Sequence, residues 1–240
     1  IAALVESRLA PLVYRNCRVV TISESSKAEI LAQLGYEKNV RIDVVYPGVD
    51  GDAYRVKAKK TTYPSFLYLG RLKPYKNIDV AIRAFELVHK LHQTARLTIA
   101  GEGESIDSLK ALVKELGLSR CVVFAGKVDE AEKVEHYSRH WAAIQPSSFE
   151  GWGLTVIEAN ACGTPVVAAD VPGLRDSVNN PHTGHLVEYG NSVAFAETIA
   201  SLLQNQGLRT SMGIQSIEWA KNFDWEESAS QMLKLLDKKP

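Results

Sequence analysis

PSSFEGWGLTVIEANACGTP, residues 146–165, is the stretch whose reading decides the fold. The apolar run before it, residues 141–144, has the length of a short buried strand. The alanine-rich segment after Gly151 and Gly153 has the pattern of a helix. Glycines between strand and helix allow φ > 0 and let a ligand come close to the backbone. The first turn of the following helix offers unpaired N–H groups and the positive end of its dipole, which suits a phosphate. Two carboxylates bracket the turn, Glu150 before it and Glu158 inside the helix. Aimed at a phosphate they would repel it. They make better sense as acceptors for hydroxyl groups on either side of it, which is the shape of a nucleotide-sugar. The same pair also fits a solvated loop acid and a surface helix acid, and this stretch alone does not choose.

Working outward, strands and helices alternate from residue 65 onward. Expected strands cover residues 66–69, 97–100, 122–125, 142–145, 166–169 and 185–187. Expected helices cover 77–91, 106–116 and 131–139, then the one after Gly153, and finally 192–203, 208–222 and 225–236. In the helix over 77–91, Ile78, Ala81, Ile82, Phe85 and Val88 form one apolar face. Alternation of this kind implies right-handed βαβ units, so the expected class is α/β, a Rossmann-like parallel sheet with helices on both faces. Ahead of it the pattern predicts a helix over 2–15, a strand over 18–22, a helix that Ser23–Ser26 can cap and that runs to about residue 34 with Gly35 beyond its end, and a strand over 42–45. Residues 51–64 are polar and lysine-rich and read as a loop.

Ligands of such sheets bind outside the carboxyl ends of the strands. The five segments there are GRLKPYK (70–76), GEGES (101–105), GKV (126–128), PSSFEGWG (146–153) and DVPGLRD (170–176). Each contains glycine, which together implies a cleft lined by backbone. Arg71 and Lys76 beside a helix N-terminus would neutralise a pyrophosphate leaving group. Alone they would equally be a solvated pair, but with the glycine turn at 151–153 the phosphate reading is the better one. Gly101-Glu102-Gly103 lacks the third glycine of a dinucleotide fingerprint and reads as a tight turn, which leaves NAD binding the weakest alternative. Asp50-Gly51-Asp52 is a short acidic match of low value as a metal site. His136 and His140 lack an HExxH context and read as partly exposed structural residues.

Composition narrows the classes. The 240 residues are 45% hydrophobic and 23% charged, ordinary for a globular chain of one large or two small domains. Lys plus Arg and Asp plus Glu are 28 each, so no overall positive field draws in nucleic acid. No apolar run approaches the ~20 residues of a membrane span, and the N-terminus lacks signal-peptide features. Three widely spaced cysteines, Cys17, Cys121 and Cys162, form no metal framework and suggest buried free thiols in a reducing cytoplasm.

These motifs carry a resemblance. VVYPGVD (44–50), YLGRLKPYKNIDVAIRAF (68–85), LTIAGEGES (97–105), VVFAGKV (122–128), PSSFEGWGLTVIEANACGTPVVA (146–168), TGHLVEYGNS (183–192) and FDWEESASQML (223–233) together span roughly residues 40–236. On them the chain resembles the C-terminal, donor-binding half of a GT-B glycosyltransferase of the large retaining family 4 (glycosyl transferases group 1). The Glu150…Glu158 spacing matches that family's E-x7-E motif. The resemblance implies that Gly70, Arg71 and Lys76 meet the donor phosphates and that Glu150 meets the sugar hydroxyls. It gives Gly151, Trp152, Gly153, Leu154 and Thr155 as backbone donors, Glu158 as the ribose acceptor, and Lys127 and Val128 as the border of the base. Trp152 stands where the family often has Phe. PGLRDSV, with Asp176 at the acid position, is a looser match to GGxxE and is left out of the site.

The implied activity is a hexosyltransferase reaction from a UDP-, GDP- or ADP-sugar to a hydroxyl of a glycan, lipid or small molecule. Configuration is retained, no metal cofactor is implied, and Arg71, Lys76 and Glu150 carry the catalysis. A catalytically silent nucleotide-sugar-binding module and a GT-B-fold epimerase are the alternatives. The implied division is a remnant of an acceptor domain and linker over 1–40, a nucleotide-sugar domain over 41–222 and a terminal helix over 223–240. The chain would then be a poorly active fragment, cytoplasmic, reaching a membrane face only through a missing first domain.

Overall fold

Six parallel strands organise the molecule: β3 (Ser65–Leu69), β4 (Arg96–Ala100), β5 (Val122–Gly126), β6 (Ala142–Gln145), β7 (Val166–Ala169) and β8 (Gly184–Val187). Side by side in the sheet they run in the order β5-β4-β3-β6-β7-β8. The computed structural model describes residues 9, 13–14, 17–34 and 41–237. The helix expected over 2–15 and the end expected at Gly35 fall outside these residues, apart from 9, 13 and 14. Ahead of the sheet, β1 (Arg18–Thr21) and β2 (Arg41–Val44) form a separate parallel pair, with α1 (Glu24–Leu34) between them.

The central strands β3, β6 and β7 are buried along their whole length, as expected for a parallel sheet covered on both faces. The connecting helices are α2 (Ile78–Leu91), α3 (Ile106–Glu115), α4 (Glu130–Arg139) and α5 (Leu154–Ala161); α6 (Leu174–Ser177) lies between β7 and β8. Then come α7 (Ser192–Gln204), α8 (Gln206–Ala220) and α9 (Trp225–Leu236). Helices α2, α3 and α7 pack in one set, and α4, α5 and α8 in another. Right-handed crossovers in this strand order put the two sets on opposite faces.

Local chemistry explains the elements. The α2 face is as the periodicity predicts: Ile78, Ala81, Ile82, Phe85 and Val88 are all buried, with Ala84 beside them. Burying each of its larger side chains contributes roughly 1.5–3 kcal/mol. At α4, Asp129 Oδ1 accepts the Glu132 amide at 2.8 Å and Glu132 Oε2 accepts the Asp129 amide at 2.8 Å, a capping box. Gly101 and Gly103 are needed for close approach: a Cβ would lie 1.9 Å from Gly70 O and 2.3 Å from Leu72 O respectively. The GEGE segment is therefore a turn pressed against the loop after β3.

Residues 51–64 are irregular as expected, with Tyr54 buried and Lys60 Nζ donating to His140 O at 2.7 Å and to Thr164 Oγ1. Burial pushes the Lys60 amine down to about 8. Two local expectations change. Cys121 and Cys162 are buried, but Cys17 is exposed, since it precedes β1 outside both sheets. Residues 174–177, given no regular structure above, form the short helix α6.

The terminal helix α9 returns to the first strand pair. Arg18 Nη1 donates to Leu235 O at 3.1 Å, and Ser228 Oγ donates to Tyr46 O at 2.6 Å. Gly48 packs against it so closely that a Cβ would sit 2.2 Å from the Trp225 nitrogen.

Candidate functional site

The strand order reverses between β3 and β6, the neighbours at the centre of the sheet. In open α/β sheets the crevice outside the carboxyl ends at such a reversal is where ligands bind. Two side chains meet there. Lys76, in the single 3-10 turn Pro74–Lys76 after β3, forms an ion pair with Glu150 from the loop after β6. Their side chains are 12% and 15% exposed, so the pair is largely shielded from water. Ser147 Oγ donates to the same Glu150 Oε1 at 2.8 Å. Tyr75 joins the two loops through its backbone, its carbonyl accepting the Ser148 amide at 2.8 Å. Its ring lies between the cations: Arg71 Nη2 donates to Tyr75 Oη at 2.9 Å, and Lys76 Nζ stands 5.2 Å from the ring centre.

Immediately beyond, α5 starts at Gly153. Its φ of 86° and a Cβ that would lie 2.7 Å from Ser177 Oγ explain why glycine stands there. One turn into α5, Glu158 is 7% exposed and accepts Tyr137 Oη–H at 3.0 Å. It lines a cavity of about 430 Å³ with Asp50, Tyr54, Glu130, Lys133, Leu154 and others. Tyr54 Oη donates to Glu130, which Lys133 Nζ meets at 2.5 Å. Burial pushes the Glu158 carboxyl above its ordinary value, and Lys133 and the Tyr137 hydroxyl pull it part of the way back. A buried carboxylate bordering an open cavity is an acceptor held ready for hydroxyl donors.

The structure brings the expected residues together unevenly. Gly70, Arg71, Lys76, Glu150 and Gly151 lie in the loops after β3 and β6, Arg71 being exposed. Leu154 and Glu158 share the cavity. Thr155 Oγ1 accepts from Gln145 Nε2, tying α5 to the end of β6. The Trp152 side chain is buried among Tyr46 and Phe223, with ring centres 4.6 and 4.9 Å away, so only its backbone faces the loop. Lys127, exposed, and Val128, half-buried, follow β5 at the edge of the sheet. Asp50 Oδ1 accepts the amides of Asp52 and Ala53 at 2.9 and 3.0 Å, a turn within its own loop. His136 is half-buried as expected. His140 is buried rather than partly exposed, held by Thr98 Oγ1 at 2.9 Å and His136 O at 2.6 Å, a structural role.

The sequence profile described as glycosyl transferases group 1 matches residues 51–219. The chain belongs to that family. A D-inositol 3-phosphate glycosyltransferase from Acidothermus cellulolyticus is 33% identical over 93% of this chain and 54% of its own length. The chain thus spans about half the length of the curated relatives it matches. Sucrose-phosphate synthase from Thermosynechococcus elongatus superposes with a TM-score of 0.86 at 26% identity, over 98% of this chain and 60% of that one. A variant of TarM from S. aureus, solved with fondaparinux, α-GlcNAc-glycerol and UDP, has a TM-score of 0.83 at 25% identity, over 92% of this chain and 44% of that one.

Within this group 1 glycosyltransferase chain, several residues at the site escape a reading of the sequence. Ser147, Tyr75, Tyr137, Tyr54, Glu130 and Lys133 all act on Glu150, Arg71, Lys76 or Glu158 in the folded chain. Ser147 and Tyr75 had a local signal, since each adjoins a named residue. Tyr137 had only its apolar-face position on α4, which predicts burial and not a carboxylate partner. No helix among the described residues is long and apolar enough to cross a membrane.

Proposed function

We propose that this chain is the donor-binding half of a retaining glycosyltransferase, which moves a hexose from a nucleotide-sugar, with UDP the first candidate, to an acceptor hydroxyl. Lys76 paired with Glu150 at the strand-order reversal, ahead of the α5 N-terminus, is the observation that carries the reading. In this reading Glu158 accepts the ribose hydroxyls, and the α5 N-terminus and Arg71 hold the diphosphate. Lys76 exchanges part of its contact with Glu150 for a phosphate oxygen, which frees Glu150 to accept sugar hydroxyls. The bond from the anomeric carbon to the phosphate oxygen breaks, and the acceptor oxygen bonds to that carbon on the same face. The acceptor's proton passes to the departing diphosphate, whose charge the two cations stabilise.

UDP in the TarM structure supports uridine as the base to test first. Cys17, Cys121 and Cys162, all unpaired, support a cytoplasmic setting. The proposal covers the donor side, so binding is its test. Calorimetric titration with UDP, GDP and ADP, with and without Mg²⁺, should give one preferred diphosphate that binds without the metal. Its affinity should fall about tenfold or more in Glu158→Ala, as expected for loss of hydrogen bonds to a charged group. No binding of any diphosphate at millimolar concentration would count against the reading.

A further inference from the structure

The Gly151 carbonyl, next in the chain to Glu150, is held from an unexpected direction. Ser23 Oγ donates to it at 2.7 Å, and Ser26 Oγ lies 3.2 Å from the same carbonyl oxygen and 2.9 Å from Ser23 Oγ, so the two hydroxyls and the carbonyl form one cluster. Ser23 is fully buried and does two jobs with one hydroxyl. Its proton goes to Gly151 O, while its oxygen accepts the Ser26 amide at 3.0 Å and caps α1. Asp176 Oδ2, from α6, accepts the next free amide of that helix end, Ser25 N, at 2.9 Å. The start of α1 is thus docked onto the loop carrying Glu150.

The loop is confined on its other sides too. A Cβ on Gly173 would stand 2.1 Å from Glu150 O, so the α6 turn lies directly against the Glu150 peptide. A Cβ on Gly151 would come within 3.0 Å of Ile22 Cδ1. Ile22, Ser23 and Ser26 all follow β1, which belongs to the two-stranded sheet and not to the six-stranded one. The clamp therefore ties one sheet's helix to the other sheet's ligand loop across more than 120 residues of chain.

We propose that Ser23 and Ser26 are positioning residues for the donor sugar: their hydroxyls on the Gly151 carbonyl hold the loop so that Glu150 faces the sugar. The role rests on the donor-site reading above. Fixing a peptide one residue from Glu150 limits the arc its carboxylate can sweep, and preorganisation of that kind favours the ligand that needs the carboxylate. Free UDP has no sugar for Glu150 to meet. The clamp should therefore matter for UDP-sugars and little for UDP.

The test uses this chain, Ser26→Ala, which leaves the Ser23 cap intact, and the double variant Ser23→Ala/Ser26→Ala. Hydrogen–deuterium exchange over residues 148–152, without any ligand, should quicken by roughly tenfold in the double variant and by less in Ser26→Ala, while the α5 N-terminus, tied to β6 through Gln145 Nε2 and Thr155 Oγ1, stays protected. In calorimetry, affinity for UDP-glucose or UDP-N-acetylglucosamine should drop about tenfold in the double variant while UDP stays within about twofold. Unchanged exchange over the loop would overturn the clamp. Equal losses for UDP and the UDP-sugars would overturn the positioning role and leave a merely structural one. A wild-type chain that binds none of these nucleotides would refute the donor-site reading, and the sugar role with it. The exchange result would still report on the clamp itself.

Discussion

Replacing Glu158 by Gln separates what this carboxylate does for the fold from what it does for a ligand. Glu158 is 7% exposed, and burial raises its carboxyl above the ordinary value despite Lys133 and Tyr137. Glutamine keeps the volume and an oxygen for the Tyr137 hydroxyl, and it removes the charge. Burial disfavours the charged form, so relieving that charge should stabilise the chain at pH 8. Each kcal/mol gained is a rise of about 2–4 °C in Tm for a chain of this size. The sign follows from linkage. Above pH 4.5 the folded chain holds the Glu158 proton more tightly than the unfolded one, so the wild type loses stability as pH rises through the raised value. The advantage of Glu158→Gln should therefore be full at pH 8 and shrink toward pH 4.5. Thermal unfolding of both proteins at pH 5 and pH 8 measures it, and titration with UDP should show binding weakened roughly tenfold or more in the same variant. A variant that is more stable and binds worse marks a group kept for its ligand. Equal or lower stability at pH 8, or a gain that ignores pH, would refute the reasoning.

Other perturbations test other parts of the site. Lys76→Met strands a carboxylate whose side chain is 15% exposed and should cost roughly 1–3 kcal/mol in urea unfolding. Adding Glu150→Gln should recover most of that loss, and strictly additive effects would show that the pair is not coupled. Gly153→Ala must adopt φ 86° with its Cβ 2.7 Å from Ser177 Oγ, and should cost about 2–4 kcal/mol. Gly117→Ala, at φ 71° with nothing within 4 Å, is the control and should cost only about 1–2 kcal/mol. Burial pushes His140 down to about 4. The unfolded chain therefore binds more protons below about pH 6.5, and up to about 3 kcal/mol of stability is lost as pH falls toward 4. His140→Gln should flatten that part of the stability–pH profile, and an unchanged slope between pH 7 and pH 4.5 would assign it to other groups.

The order of strands and helices was legible in the sequence because it depends on near neighbours. The face of α2 is a three-and-four-residue repeat, and the turn at Gly153 is a two-residue matter of which φ a side chain allows. The spacing of Glu150 and Glu158 around that turn was equally plain, and so were the cations after β3. What the folded chain alone decided were the partnerships. Lys76 reaches Glu150 because β3 and β6, distant in sequence, are neighbours where the sheet changes direction. Tyr137 meets Glu158 because α4 packs on α5. Trp152, an aromatic in a ligand loop by sequence, turns inward because Tyr46 and Phe223 offer it an apolar niche. Ser23 and Ser26 read as a helix cap, and only the docking of α1 shows their hydroxyls reaching the Gly151 carbonyl. Periodicity and turn chemistry act over a few residues and are written locally. A side chain's partner depends on which distant segment packing brings within about 3 Å, the reach of a hydrogen bond, and no local pattern encodes that.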